Sequence, residues 1–184
     1  MAKVLACVLL ADCKREAPAQ RYANPEYEYA VQLPSGVEIE TSTAPNPNHG
    51  FRVRLPPPAG VWVWAHYETE NVYTLAEEVE SVRESWSGCR MTERKTATLG
   101  GVPAAELTLQ CPAAPPESKL PQTMRLLLTL RTPPDRGPIV YTVRLQHPRD
   151  TPAPAEAEAA YRAAIDGFSF TTGEAGGDST PPRR

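Results

Sequence analysis

The chain has 184 residues, of which 41% are hydrophobic and 22% are charged, and its formal net charge is -3. This is the composition of an ordinary globular protein, and the length suits one domain that buries a core without a metal ion, so a wholly disordered or membrane-embedded chain is excluded. Charges of both signs are interspersed and form no basic stripe, so nucleic acid is not an expected partner.

Residues 1–13 have the composition of a bacterial export signal. One lysine precedes a short apolar run that ends in small residues, and this run is too short to span a bilayer as a helix. Cys13 is the candidate for lipid attachment, although Asp12 stands where lipoprotein signals carry Ala, Gly or Ser. Cys7 is the less favoured candidate because almost no basic and apolar region precedes it. A cytosolic protein with a fraying N-terminus is the alternative.

The segments that flank the predicted domain differ from it in composition. Residues 14–26 are rich in Ala, Pro and polar residues, and we expect them to form a flexible tether. A single domain is expected over 27–171, followed by a disordered tail over 172–184. The predicted location is therefore extracytoplasmic, either free in the periplasm or anchored to a membrane through an N-terminal lipid.

The first part of the domain combines strands with one helix. β-Prone residues lie between turn signals in four runs, which predicts strands over 27–33, 37–41, 51–55 and 61–67. Thr74 and Glu77 then form a capping box, and a helix should run from there to Gly88. Its apolar stripe consists of Leu75, Val79, Val82 and Trp86. Acids on the other side indicate a solvated face rather than a catalytic cluster; they are Glu77, Glu78, Glu80 and Glu84.

The strand over 61–67 carries an aromatic face. Trp62, Trp64 and His66 share one side, and the residues between them make the other side apolar as well. The face with the two tryptophans either packs beneath the following helix or is exposed as a surface for sugar rings or for a partner protein.

Two further runs predict a hairpin closed by a disulfide. Residues 89–98 and 102–111 are strand-like and are separated by Leu99-Gly100-Gly101, a three-residue loop with glycine where a left-handed residue is needed. In that register Cys89 lies directly opposite Cys111, at a separation that a disulfide can bridge. Disulfides persist mainly outside the cytoplasm, which agrees with the export signal. Two buried free thiols are the alternative.

The remaining elements complete an α+β fold. Alternating residues predict a second hairpin from 124–131 and 141–146, and an Ala-rich helix over 155–165 should end at Gly167. Residues 168–170 would pack back on the domain. We therefore expect an antiparallel sheet of about six to eight strands covered by two main helices.

The layout resembles the PsbP-like fold. The features that carry the resemblance are the strand over 50–56, the Thr74-Leu-Ala-Glu helix start, the strand over 101–107, and the end of the last helix with 166–170. That fold is shared by a photosystem II extrinsic subunit, a nuclear-import factor and many bacterial secreted or lipid-anchored proteins. The resemblance covers about 27–171, implies an α/β/α sandwich and a small binding or assembly protein, and carries over no binding residue.

No motif indicates catalysis, a cofactor or a metal. His49, His66 and His147 are the only histidines, and none has metal-ligand spacing to another ligand residue. His49 and His147 are expected to be solvated surface residues. We therefore predict a non-enzymatic exported protein that binds an envelope protein or assists assembly. A carbohydrate or small-ligand binder that uses the tryptophan strand is the first alternative, and an enzyme of unfamiliar type is the second.

Overall fold

The computed structural model describes residues 19–41, 49–68, 74–113 and 119–171. The predicted export signal, the first part of the tether and the tail over 172–184 lie outside the described residues. Both lipidation candidates, Cys7 and Cys13, lie outside them too, so these assignments remain predictions.

The described residues form ten strands and two helices. In chain order they are β1 (Gln20–Asn24), β2 (Tyr29–Leu33), β3 (Ile39–Glu40), β4 (Gly50–Val53), β5 (Gly60–Tyr67), α1 (Leu75–Ser85), β6 (Arg90–Leu99), β7 (Val102–Cys111), β8 (Gln122–Arg131), β9 (Ile139–Pro148), α2 (Ala155–Asp166) and β10 (Phe168–Phe170). A seven-stranded sheet has the order β3-β4-β5-β9-β8-β7-β6, and a three-stranded sheet has the order β1-β2-β10. All strand pairs are antiparallel, which confirms the predicted α+β class.

The two faces of the large sheet are covered differently. One face packs against α2 and the small sheet, where Tyr29 stacks on Phe168 with ring centroids 5.3 Å apart. On the other face α1 packs on β7 and β8 through Val79, which is buried against Leu107. This α1 layer is narrower than the sheet, so β4, β5 and β9 present residues beside it.

Helix α1 begins at the predicted capping box. The Glu77 N–H donates to Thr74 Oγ1 over 3.2 Å, and the Thr74 N–H donates to Glu77 Oε2 over 2.9 Å. The helix ends at Ser85 with Trp86 as its C-cap, before the predicted Gly88. The prediction that all four helix acids are solvated was wrong for Glu78, which is only 5% exposed because its side of the helix faces the sheet.

The hairpin and its disulfide are confirmed, but the register is reached in another way. The turn has two residues, Gly100 and Gly101, with φ of 58° and 82°, so that Leu99 pairs with Val102. Such a turn needs positive φ at both positions, which glycine allows. That register alone would offset the cysteines by one residue.

A β-bulge between Met91 and Glu93 corrects this offset. The extra residue lets Met91 pair with Leu109, which brings Cys89 and Cys111 opposite one another. Their sulfurs are bonded at 2.03 Å. The cysteines are therefore brought together by a two-residue turn and a bulge instead of the predicted three-residue loop.

The folded unit begins earlier than predicted. Residues 20–24, assigned to the flexible tether, instead form β1, which pairs with β2 from Gln20 opposite Leu33 to Asn24 opposite Tyr29. Tyr22 of this strand packs on Phe51 with ring centroids 4.8 Å apart. The polar composition of 20–24 does not predict a strand, because β1 is stabilised by its pairing with β2.

Candidate functional site

Strand β5 places the predicted aromatic residues on the face of the large sheet that α1 partly covers. We call Trp62, Trp64 and His66 the Trp face; all three are half-buried. Their neighbours across the strands come from β4 and β9: Trp62 lies between Arg52 and Arg144, and Trp64 lies between Gly50 and Thr142. The Trp face is thus continuous with two arginines that alternate on the same side of their own strands.

The ring of Trp62 lies against its own strand. A Cβ added to Gly60 would overlap Cη2 of that ring, so only glycine allows the approach. The Arg144 guanidinium carbon lies 4.1 Å from the Trp62 ring centroid and 5.4 Å from that of Trp64, and the Arg52 guanidinium carbon lies 5.2 Å from the Trp62 centroid. Both cations therefore lie against the ring of Trp62.

We call Arg52 and Arg144 the arginine pair. In each of them Nε is buried and has no hydrogen-bond partner within the described ranges. Burial, together with repulsion by Arg52, lowers the pKa of Arg144 to about 10. Glu40 lies opposite Arg52 on β3, but its Oε1 accepts from Nε of Arg54 over 3.0 Å. The neighbouring carboxylate is thus engaged elsewhere.

A cleft of about 260 Å³ lies between the Trp face and α1. Trp64 and His66 line its sheet side, and Glu78, Val82 and Trp86 line its helix side. Burial lowers the pKa of His66, which keeps the imidazole neutral near pH 7. The cleft combines aromatic walls with an imidazole and a carboxylate.

The Trp face is neither fully packed beneath α1 nor fully exposed, the two arrangements that the sequence allowed. Trp64 and His66 border the cleft beside α1, whereas Trp62 packs on Gly60 and under the arginine pair. The sequence alone does not single out Arg52 and Arg144, because an arginine between apolar strand residues is typical of a solvated face. The pairing of Arg144 with Trp62 across β9 and β5 is what distinguishes this arginine from a solvated one.

The other two histidines are not the solvated residues that we predicted. His147 is 8% exposed, and its Nδ1 lies 2.9 Å and 3.0 Å from the carbonyl oxygens of Pro148 and Thr151, so it holds the turn after β9. His49 is half-buried, with Nε2 3.1 Å from the Tyr27 hydroxyl. The prediction was wrong for both histidines, because polar groups of the fold hold each imidazole ring.

Within the described ranges, no group of three or more His, Cys, Asp and Glu side chains is placed to hold a metal ion. In the same ranges neither helix is both long and apolar enough to cross a membrane.

These elements define an α+β protein with the PsbP-like fold, as predicted. No protein-family model matches the chain, and no curated protein matches it in sequence. The structure is similar to that of the Ran-binding protein Mog1p from Saccharomyces cerevisiae, with a TM-score of 0.50 and 13% identity over 83% of this chain and 95% of that one. It is also similar to the solution structure of cyanobacterial PsbP (CyanoP) from Synechocystis sp. PCC 6803, with a TM-score of 0.49 and 13% identity over 88% and 98% of the two chains.

Proposed function

We propose that this chain is an exported, non-catalytic protein of the bacterial envelope that binds another envelope protein through the Trp face. The observation that carries the proposal is the half-buried position of Trp62 and Trp64 on a part of the sheet beside α1. Tryptophan is enriched at the centres of protein interfaces because it offers a large apolar surface with few rotatable bonds.

The compartment is supported by the disulfide and by the composition of the N-terminus. Cys89 and Cys111 are bonded in the folded domain, and such bonds persist where thiols are not kept reduced. The apolar run within 1–13 independently favours export, with a lipid on Cys13 as the proposed anchor. Mass spectrometry of the protein from its native host should show loss of the first residues, and an intact Met1 would contradict export.

The binding role is supported by the chemistry of the face and, at the level of fold, by one neighbour. Two indoles, two guanidiniums and a neutral imidazole are suited to recognition, because they stack and donate hydrogen bonds. Mog1p is named as a Ran-binding protein, so the same fold serves protein binding elsewhere. A carbohydrate or small-ligand role is less favoured, because the Arg144 guanidinium already lies over the two indole rings on which a sugar would stack.

Affinity capture from envelope extracts tests the proposal. The purified native chain, incubated with an envelope extract and then cross-linked, should retain one or more envelope proteins. The Trp64→Ala variant should not retain them. Leu120→Ala is the matched control, because Leu120 is an apolar residue that is 51% exposed, precedes β8 in the chain and does not line the cleft. Thermal unfolding of both variants checks that they are folded. Equal capture by the native chain and a folded Trp64→Ala variant would refute the proposed surface.

A further inference from the structure

The arginine pair places two arginines without an ion pair on one indole ring. Among the described residues, ion pairs engage Arg54, Arg83, Arg125, Arg136 and Arg149, whereas Arg52 and Arg144 belong to the arginines that have none. Their guanidinium carbons cannot be farther apart than the sum of their distances to the Trp62 centroid, 5.2 Å and 4.1 Å. Two cations are thus held close together on one aromatic ring.

The positive charges of the arginine pair are not neutralised by an ion pair within the described residues. Two like charges at this range repel each other, and partial burial reduces the screening by water. The Trp62 ring compensates in part, since a cation is attracted to the face of an indole. The buried Nε donors of both arginines still lack an acceptor in the described chain, and a buried donor without an acceptor is unfavourable. An anion bound by the terminal N–H groups of the two guanidiniums would offset the repulsion.

We propose that Arg52 and Arg144 form a binding site for a carboxylate on an acidic segment of the partner protein. This proposal rests on the function proposed above and specifies the chemistry of the partner. A guanidinium presents its N–H groups as a planar fork that matches the two oxygens of a carboxylate. Trp62 and Trp64 border the pair, so the segment carries an apolar side chain next to its Asp or Glu.

A carboxylate fits the surroundings better than a phosphate does. Phosphate sites usually add backbone N–H groups, often at a helix N-terminus or in a glycine-rich loop. Here the arginines project from the middle of paired strands, opposite Trp62 on both sides, where the backbone belongs to the sheet ladder. Two guanidiniums and two indoles therefore supply the contacts, which satisfies two oxygens more readily than three.

Fluorescence anisotropy with a defined probe tests the site on the full chain. The probe is a fluorescein-labelled peptide of alternating Glu and Leu, and its counterpart carries Gln in place of Glu. The Glu peptide should bind at least about tenfold more tightly than the Gln peptide, and the difference should shrink as salt is raised. Equal affinity for the two peptides would overturn the proposal.

Variants assign the binding to the arginine pair. Arg144→Gln and Arg52→Gln should each weaken binding of the Glu peptide by about tenfold, with unchanged thermal unfolding as the check on folding. Arg162→Gln removes the same charge from an exposed position on α2, on the opposite side of the sheet, and should leave the affinity unchanged. A loss of the same size in Arg162→Gln would mean that net charge alone drives binding and would refute the site.

Inorganic phosphate and the captured partner separate the remaining outcomes. If phosphate displaces the Glu peptide at lower concentration than acetate does, and does so only with both arginines present, the carboxylate assignment is wrong. If the native chain captures a partner and Arg144→Gln captures it equally, this inference fails while the proposed function stands. If the Glu peptide binds through the arginine pair but Trp64→Ala still captures every partner, the inference stands and the proposed surface fails.

Discussion

Arg125 and Arg144 lie on opposite faces of the same sheet, and both stack on an aromatic ring. Arg125 lies 4.8 Å from the Tyr161 centroid and also binds Glu158 at 2.7 Å and Glu106 at 2.9 Å. Arg144 lies 4.1 Å from the Trp62 centroid, with no carboxylate at ion-pair distance in the described part of the chain. One guanidinium is satisfied within the fold, and the other is not.

The pKa values of the two arginines follow this difference. Burial lowers the pKa of Arg125, but hydrogen bonds to Glu106 and Glu158 outweigh burial, and the net shift is upward. Burial also lowers the pKa of Arg144, and Arg52 adds to the effect instead of opposing it. Arg125 thus connects α2 to the sheet, whereas Arg144 has no carboxylate partner among the described residues and is the residue for which we propose an external one.

The largest expected effect concerns the disulfide, which neither arginine contacts. Replacing Cys89 and Cys111 with alanine should lower the free energy of unfolding by about 3 kcal/mol, because the closed loop restricts the unfolded chain. Urea unfolding with and without reductant measures this loss. Binding of the Glu peptide by the folded fraction should be unchanged, since the bond lies outside the Trp face; a parallel loss of binding would contradict the separation of the two regions.

Arg125→Met should cost about 2 kcal/mol of unfolding free energy, because it leaves two partly buried carboxylates without their shared partner. The side chains of Glu106 and Glu158 are 23% and 29% exposed, which moderates the penalty. Urea unfolding measures the cost, and Arg162→Met is the control on the exposed side of α2. If Arg125→Met lowers the free energy of unfolding no more than Arg162→Met does, the ion cluster contributes nothing to the docking of α2.

Arg144→Met should change the unfolding free energy by less than about 1 kcal/mol. Loss of the stacking on Trp62 is offset by removal of the repulsion from Arg52 and of an unsatisfied buried donor. The same urea experiment applies, side by side with Arg125→Met. A cost equal to that of Arg125→Met would mean that Arg144 has a structural partner, and the contrast between the two faces would be lost.

The smallest effect is a pH dependence at His66. Burial lowers its pKa from 6.5; Glu68 opposes this shift and His49 adds to it. The unfolded chain therefore binds a proton more readily than the folded chain, so this contribution is fully present above pH 6.5 and is lost as the pH falls below that value. The unfolding free energies of the native chain and His66→Gln, compared at pH 7.5 and 5.5, should show the smaller loss in the variant. An equal loss in both would exclude His66 as the cause.

Much of the fold could be predicted because its signals are local. β-Prone composition predicted β5, alternation predicted β8 and β9, the Thr74 capping box located the start of α1, and the cysteine positions predicted the disulfide. Strand β1 could not be predicted, because its polar residues gain order only by pairing with β2. The bulge near Thr92 could not be predicted either, since nothing local indicates an extra residue in a strand.

The candidate site shows the same division. Trp62, Trp64 and His66 could be placed on one face from their spacing alone, because side chains alternate along a strand. The partners of that face come from β4 and β9, whose neighbouring position in the sheet follows from the topology. Hydrophobic periodicity and turn residues act over a few positions and already indicate the elements and the class. The register between distant strands and the width of the α1 layer depend on packing of the whole chain, and these place two unpaired arginines against Trp62.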